Sequence, residues 1–156
     1  MLFSNKQKPT YYLSRSDEDN PLASFSPHAF ELDGAQWPSV EHYYQGMKFE
    51  DPQLREQVRH APSPQAAQTI AKQHQHAIRS DWNTIKQTIM TRGLYIKCRS
   101  HPEVTEAFLQ SGDLELVENS QYDYYWGCGR DLRGDNHYGK LLMQVRQKLR
   151  EEITKD

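Results

Sequence analysis

Cysteine is nearly absent from this 156-residue chain, which has two, Cys98 and Cys128. Two thiols cannot build a disulfide framework, so they are expected free, in a reducing cytoplasm. Also missing is any apolar run near the roughly 18 residues that a membrane span needs. The opening residues, Met1 to Lys8, lack the apolar core of a secretory signal. No basic excess exists either: 19 Lys and Arg stand against 21 Asp and Glu, a formal net charge of −2. That balance speaks against a long duplex nucleic-acid footprint. Hydrophobic residues are scarce at 36%, and the mean hydropathy is −0.94. Aromatic surface is what the chain does have: nine Tyr, five Phe and three Trp supplement a lean aliphatic core. A chain of this length is expected to form one domain, here spanning residues 1–156.

Along the chain the local signals are mostly helical. Asp33-Gly34 between Phe30-Glu31-Leu32 and Ala35-Gln36-Trp37 predicts a hairpin. Ser39 is placed to cap a helix running to about Phe49, and Asp51-Pro52 and Ser63-Pro64 each mark a further start. Asp81 is placed to cap a longer helix with Trp82, Ile85, Ile89 and Ile96 on one face. Ser100-His101-Pro102-Glu103 has the form of a capping box, and its helix is expected to stop near Ser111-Gly112. A short extended segment, Leu114 to Val117, precedes a polar, Gly-punctuated stretch and a final helix with Tyr138, Leu141, Leu142, Val145 and Leu149 at helical spacing. The fold class expected is mainly α (α+β), with a small β-hairpin near the N-terminus.

Two stretches carry residue types suited to chemistry. In the first, Trp37 to Phe49, helical spacing puts Glu41, Gln45 and Lys48 on one stripe. The alternative is a solvated Glu–Lys pair worth about 0.3–0.5 kcal/mol. Gly46 weakens a helix by about 1 kcal/mol relative to Ala, which points to a close approach by another group. In the second, Asp123 to Lys140, Gly127, Gly129 and Gly134 precede a helix, an arrangement able to turn backbone N–H groups toward an anion. Arg130, Arg133 and Lys140 add charge for a phosphate, and Trp126 offers a face for a base or sugar. An ordinary Gly-rich surface loop is the alternative. His74-Gln75-His76 lacks a third ligand at zinc spacing, so no metal site is expected.

The run Trp37-Pro38-Ser39-Val40-Glu41-His42-Tyr43-Tyr44-Gln45, with Lys48-Phe49, resembles the signature of the NADAR, or YbiA-like, family. Asp81-Trp82 with Lys86 and Met90, then Trp126-Gly127-x-Gly129, Gly134-x-Asn136, Gly139, Leu142-Met143 and Val145-Arg146, follow in the family's order. The likeness runs from about Tyr12 to Leu149. It implies a single helical domain and an N-glycosidase that cleaves the ribose C1′–N bond of aminopyrimidine ribose 5-phosphates, early riboflavin-pathway intermediates. The partner implied is therefore a small phosphorylated ribosyl metabolite. Two alternatives stand beside it: a hydrolase removing ADP-ribose from guanine in DNA or RNA, and a non-catalytic module binding ADP-ribose. Two positions depart from the family: Leu22-Ala23-Ser24-Phe25 replaces Leu-Ser-Asn-Phe, and Tyr138 replaces Leu.

Breaking a ribosyl C–N bond passes through an oxocarbenium-like state, which needs negative charge near C1′, a positioned water and help for the departing nitrogen. On the resemblance, Glu41 is expected to stabilise the cation or activate water, and Asp123 to serve as the second carboxylate. Lys48 would hold the phosphate or a ribose hydroxyl, or attack C1′ to form a Schiff base, which requires a depressed amine pKa. Trp82 and Trp126 would shape the pocket, Asn136 would bond sugar or base, and Gln45, Gly127, Gly129 and Arg130 complete the expected substrate contacts. No metal or redox cofactor is called for.

Overall fold

Residues 8–155, those described by the computed structural model, fold into six α-helices and two small two-stranded sheets. Residues 1–7, most of the Met1 to Lys8 stretch expected to lack a secretory signal, lie outside the described residues. No described helix is long and apolar enough to cross a membrane.

The hairpin forms as its turn chemistry dictates. Strands β2 (Phe30–Leu32) and β3 (Ala35–Trp37) pair antiparallel, with Asp33 and Gly34 at φ 54° and 79°, the two left-handed positions of a type I′ turn. Helix α1 (Val40–Gly46) follows, and Ser39 caps it by accepting from the His42 amide. Helices α2 (Pro52–Arg59) and α3 (Pro64–Gln73) begin at Asp51 and Ser63, each side chain accepting an amide of the first turn. All three pack together, and α1 is buried along its whole length between α2, α3 and α4 (Trp82–Ser100). It ends at Gly46, three residues short of Phe49, where the chain leaves the helix for a bridge between Phe49 and Ile78, the Lys48 carbonyl accepting the Arg79 amide. A Cβ at Gly46 would stand 2.7 Å from the Trp37 ring.

Two expected caps are absent. Asp81 occupies the N-cap position of α4, but its carboxylate accepts from Arg79 instead of the helix amides. Ser100 is the last residue of α4, so no Ser–Glu capping box forms; α5 (Pro102–Gln110) begins behind His101, with no side-chain cap. Nothing breaks α4 before Ser100, and Pro102 opens α5 without an amide to satisfy.

A strand that periodicity does not predict, β1 (Thr10–Leu13), pairs parallel with β4 (Glu115–Glu118), Leu13 opposite Glu118. Helix α6 (His137–Thr154) lies against β4 and buries Tyr138, Leu141, Leu142, Val145 and Leu149. The approach depends on Gly139, where a Cβ would meet the Leu116 carbonyl oxygen at 2.0 Å. Backbone cannot yield as a flexible side chain does. Gly139→Ala is therefore expected to destabilise the fold by about 1–3 kcal/mol. An unchanged midpoint in urea unfolding would show that α6 does not rest on β4 in this way.

Candidate active site

Glu41 sits in the first turn of α1 and is fully buried. An isolated carboxylate there would be prohibitive, so its partners decide its state. Oε1 accepts from Arg15 Nη1 at 2.5 Å and from Ser24 Oγ at 2.8 Å. Oε2 accepts from Gln45 Nε2 at 2.7 Å and from Gln68 Nε2 at 3.0 Å. Burial pushes the carboxyl pKa up, but the Arg15 guanidinium and then the Gln45, Gln68 and Ser24 donors prevail and hold it below its ordinary value. Glu41 is thus an ionised, immobile anion. The solvated Glu–Lys pair is excluded, since the ion-pair partner of Glu41 is Arg15.

Arg15 was not visible as a site residue in the sequence. It lies just past β1, and a second buried carboxylate places it: Glu118 Oε2 accepts its backbone amide at 2.7 Å. The same Glu118 accepts from the Ser120 amide and hydroxyl. Arg15 is thus held at both ends, by Glu118 on the backbone and Glu41 on the side chain. Ser24, one of the two family departures, replaces an amide by a hydroxyl that touches the central carboxylate.

Lys48 lies two residues beyond the end of α1, half-buried. Its Nζ stands 5.5 Å from the Tyr44 ring centroid and 6.0 Å from that of Trp82. Burial lowers its amine pKa; Glu41 pulls it up, while Arg15 and Lys86 push it further down. Tyr44 lies between Trp82 and Trp126, with ring centroids 5.0 and 5.6 Å away, and Trp126 Nε1 donates to the Tyr44 hydroxyl at 3.2 Å. Lys86 adds a cation 3.8 Å from the Tyr125 ring centroid. Both tryptophans are core residues, and Trp82 also stands beside Lys48.

A cleft of about 880 Å³ opens on Arg15, and Phe25, Gln68, Lys72, Asp123 and Tyr125 are among the residues lining it. Asp123 Oδ1 accepts from the Tyr125 and Trp126 amides; burial pushes the Arg15 pKa down, but Glu41, and after it Tyr44 and Asp123, raise it above its ordinary value. Gln45 is buried, and its Oε1 is the one buried side-chain polar atom without a partner among the described residues. An acceptor left empty beside a saturated carboxylate is suited to a ligand hydroxyl.

The Gly-rich stretch does not form the phosphate cradle expected. Several of its amides are spent within the fold: Cys128 and Gly129 donate to Glu118 and Ser120, and Gly134 donates to Cys128. Asp135, Asn136, His137 and Tyr138 donate to Tyr124, Gly127, Tyr125 and Trp126, which closes the N-terminus of α6 to an anion. The glycines permit this self-packing. A Cβ at Gly127 would meet Glu118 Oε1 at 2.5 Å, and one at Gly129 the Tyr124 ring at 2.4 Å. Asn136 is likewise committed, donating to the Leu116 carbonyl and accepting from the Glu118 amide. Arg130 is exposed and stands over Tyr122, 5.8 Å from its ring centroid. Among the described residues, no three His, Cys, Asp or Glu side chains gather as a metal site would require.

Fold and site together define a small helical domain built around a buried glutamate held by Arg15, Ser24, Gln45 and Gln68. The family model described as the NADAR domain matches residues 2–150, and the chain belongs to that family. N-glycosidase YbiA of Escherichia coli strain K12 is 33% identical over 138 residues, 88% of this chain and 86% of that protein. The NMR structure of the E. coli protein YbiA superposes with a TM-score of 0.86 at 32% identity, covering 96% of this chain and 90% of the other. Riboflavin biosynthesis protein VVA0006 of Vibrio vulnificus is 35% identical over 145 residues, 93% of this chain and 40% of that longer protein. The expected fold class and family are both met.

Proposed function

We propose that this protein is an N-glycosidase that hydrolyses the C1′–N bond of a small phosphorylated riboside, of the aminopyrimidine ribose 5-phosphate class. The observation that carries this is the Glu41 carboxylate, ionised and fixed by four donors, two of which, Arg15 and Gln68, line the cleft. An oxocarbenium-like state needs fixed negative charge, and a carboxylate that cannot reorient supplies it without reorganisation cost. Because all of its hydrogen bonds are taken and its pKa is lowered, Glu41 serves as charge and not as proton acceptor. Asp123 is the carboxylate suited to water activation, since only Oδ1 is engaged by the Tyr125 and Trp126 amides and the residue lines the cleft.

Lys48 has the depressed amine that attack on C1′ demands. The Nζ lone pair forms a bond to C1′ as the electrons of the C1′–N bond leave on the base nitrogen, which takes a proton. Ring opening gives the imine, and water returns the amine and releases ribose 5-phosphate. Arg15, Lys72 and Lys86 supply positive charge for the phosphate, and Gln45 Oε1 accepts a ribose hydroxyl. The names of the relatives, N-glycosidase and riboflavin biosynthesis protein, support the substrate class.

The test is mass spectrometry of products from purified protein given aminopyrimidine ribose 5-phosphate, with an ADP-ribosylated guanine oligonucleotide in parallel. Release of ribose 5-phosphate from the first is the expected result. Turnover of the oligonucleotide alone would reassign the substrate. Thermal stabilisation by ADP-ribose with no product from either would make the protein a binding module.

A further inference from the structure

Lys97, in the last turn of α4, is fully buried, and among the described residues its Nζ has no carboxylate partner. Its Nζ donates to the Pro21 carbonyl at 2.7 Å, the Ala23 carbonyl at 2.9 Å and the Ser26 hydroxyl at 3.0 Å. A buried ammonium is costly to desolvate, and simple packing there would favour a methionine. The three acceptors share one property: they flank Ser24. That residue donates its hydroxyl to Glu41 Oε1, while its carbonyl accepts the Glu41 amide at 2.9 Å. The next residue, Phe25, donates its amide to the Arg15 carbonyl. The Pro21–Ser26 segment thus meets both members of the Glu41–Arg15 pair, and Lys97 grips it on either side.

We propose that Lys97 is a positioning residue for the reaction: its ammonium fixes the Pro21–Ser26 segment and, with it, the Ser24 hydroxyl that orients the Glu41 carboxylate. This rests on the reading of Glu41 as the working anion. The ammonium, with three protons to give, matches three acceptors, whereas a neutral amine donates only two. The remaining contact then reverses, the Ser26 hydroxyl, which also bonds His28 Nδ1 at 2.9 Å, donating to Nζ.

Burial pushes the Lys97 pKa down to about 7, with Cys98 opposing it. Other titratable groups around it are His28, lowered by burial and then by Lys97 and His101; Glu103 of α5, facing both imidazoles; and Tyr138 of α6, whose hydroxyl donates to Leu22 of the same segment. The expected pH dependence has opposite signs for rate and stability. The unfolded lysine keeps its proton above pH 7 while the folded one loses it, so the Lys97 contribution to stability rises with pH. The rate should instead fall as the ammonium is lost. A lysine with only a structural role would not lower the rate while the fold gained stability.

The experiment is a double-mutant cycle on kcat with Lys97→Met and Ser24→Ala, with unfolding followed in parallel. Lys97→Met is expected to lower kcat by about 10- to 100-fold with a smaller change in KM, and to add little in the Ser24→Ala background. A folded Lys97→Met protein within twofold of wild type in kcat, or fully additive effects, would overturn the proposal. If Lys97→Met does not fold, Ser26→Ala decides. Removing one acceptor of the ammonium should move the high-pH fall of kcat to lower pH, and a superimposable profile refutes the role. Glu41→Gln is run alongside. Full activity there defeats the underlying reading of Glu41, whereas an inactive Glu41→Gln with an unaffected Lys97→Met defeats only the proposal for Lys97.

Discussion

Glu41→Gln is expected to abolish most turnover, by about 10²- to 10⁴-fold in kcat, while leaving the protein folded. The substitution keeps size and shape and removes charge. Its carbonyl can still accept from Arg15 and Ser24, which meet Oε1 in the native site. Its new amide group faces the Gln45 and Gln68 amides, and those side chains can rotate to present oxygen. Gln45 is prepared for this, because its Oε1 has no partner to give up. The hydrogen-bond loss is therefore limited to about 1–3 kcal/mol, whereas Ala would leave the buried Arg15 charge uncompensated at about 3–5 kcal/mol. A folded Glu41→Gln protein within a few-fold of wild type in kcat would remove Glu41 from the chemistry.

The same substitution has a signature in acid. Glu41 is held below its ordinary value despite burial, chiefly by the Arg15 guanidinium. Its folded pKa lies below its unfolded one, so the stability it contributes is present above the unfolded value of about 4.3 and lost as pH falls through the folded value. The unfolding midpoint of wild type should drop with pH in that window. Glu41→Gln, having no proton to take up there, should show a shallower drop.

Much of this site was legible, and the part that was not has a physical cause. Helix starts at Ser39, Asp51 and Ser63 were readable because a cap is a local contract between a side chain and an amide two or three residues on. Asp81 and Ser100 broke that rule because competing neighbours, Arg79 and an unbroken α4, lie outside the capping pattern. Strand β1 has no periodicity of its own to display, and its partner lies about a hundred residues away. The same distance hides Arg15. Its tie to Glu118 spans 103 residues and its tie to Glu41 spans 26, and neither falls on any helical or strand repeat. Lys97 was hidden differently: a lysine in a helix is ordinarily solvated, and only the Pro21–Ser26 segment folded over it makes it buried. The glycines of the late loop were visible, but their purpose was not, since close packing and anion binding favour the same residue type.

Lys48 separates the two chemical routes open to this site, and its replacement is expected to have the second large effect. If its amine attacks C1′, Lys48→Ala and Lys48→Arg should both lose about 10²–10⁴-fold in kcat, because a guanidinium keeps the charge but has no usable lone pair. If Lys48 only holds the phosphate, Lys48→Arg should retain most of kcat, with the loss in Lys48→Ala appearing chiefly in KM. The structure favours the first outcome. Lys48 rests against Tyr44 and Trp82, and burial with the nearby Arg15 and Lys86 charges raises the fraction of neutral amine near pH 7. A lysine recruited for charge alone would gain from solvent and from fewer cationic neighbours. Borohydride added during turnover should then trap a ribosyl phosphate adduct on Lys48, read as a mass increase on its peptide and absent from both variants. Quenched reactions with no adduct, together with an active Lys48→Arg protein, would leave the fixed charge of Glu41 and a water activated by Asp123 to carry the hydrolysis directly.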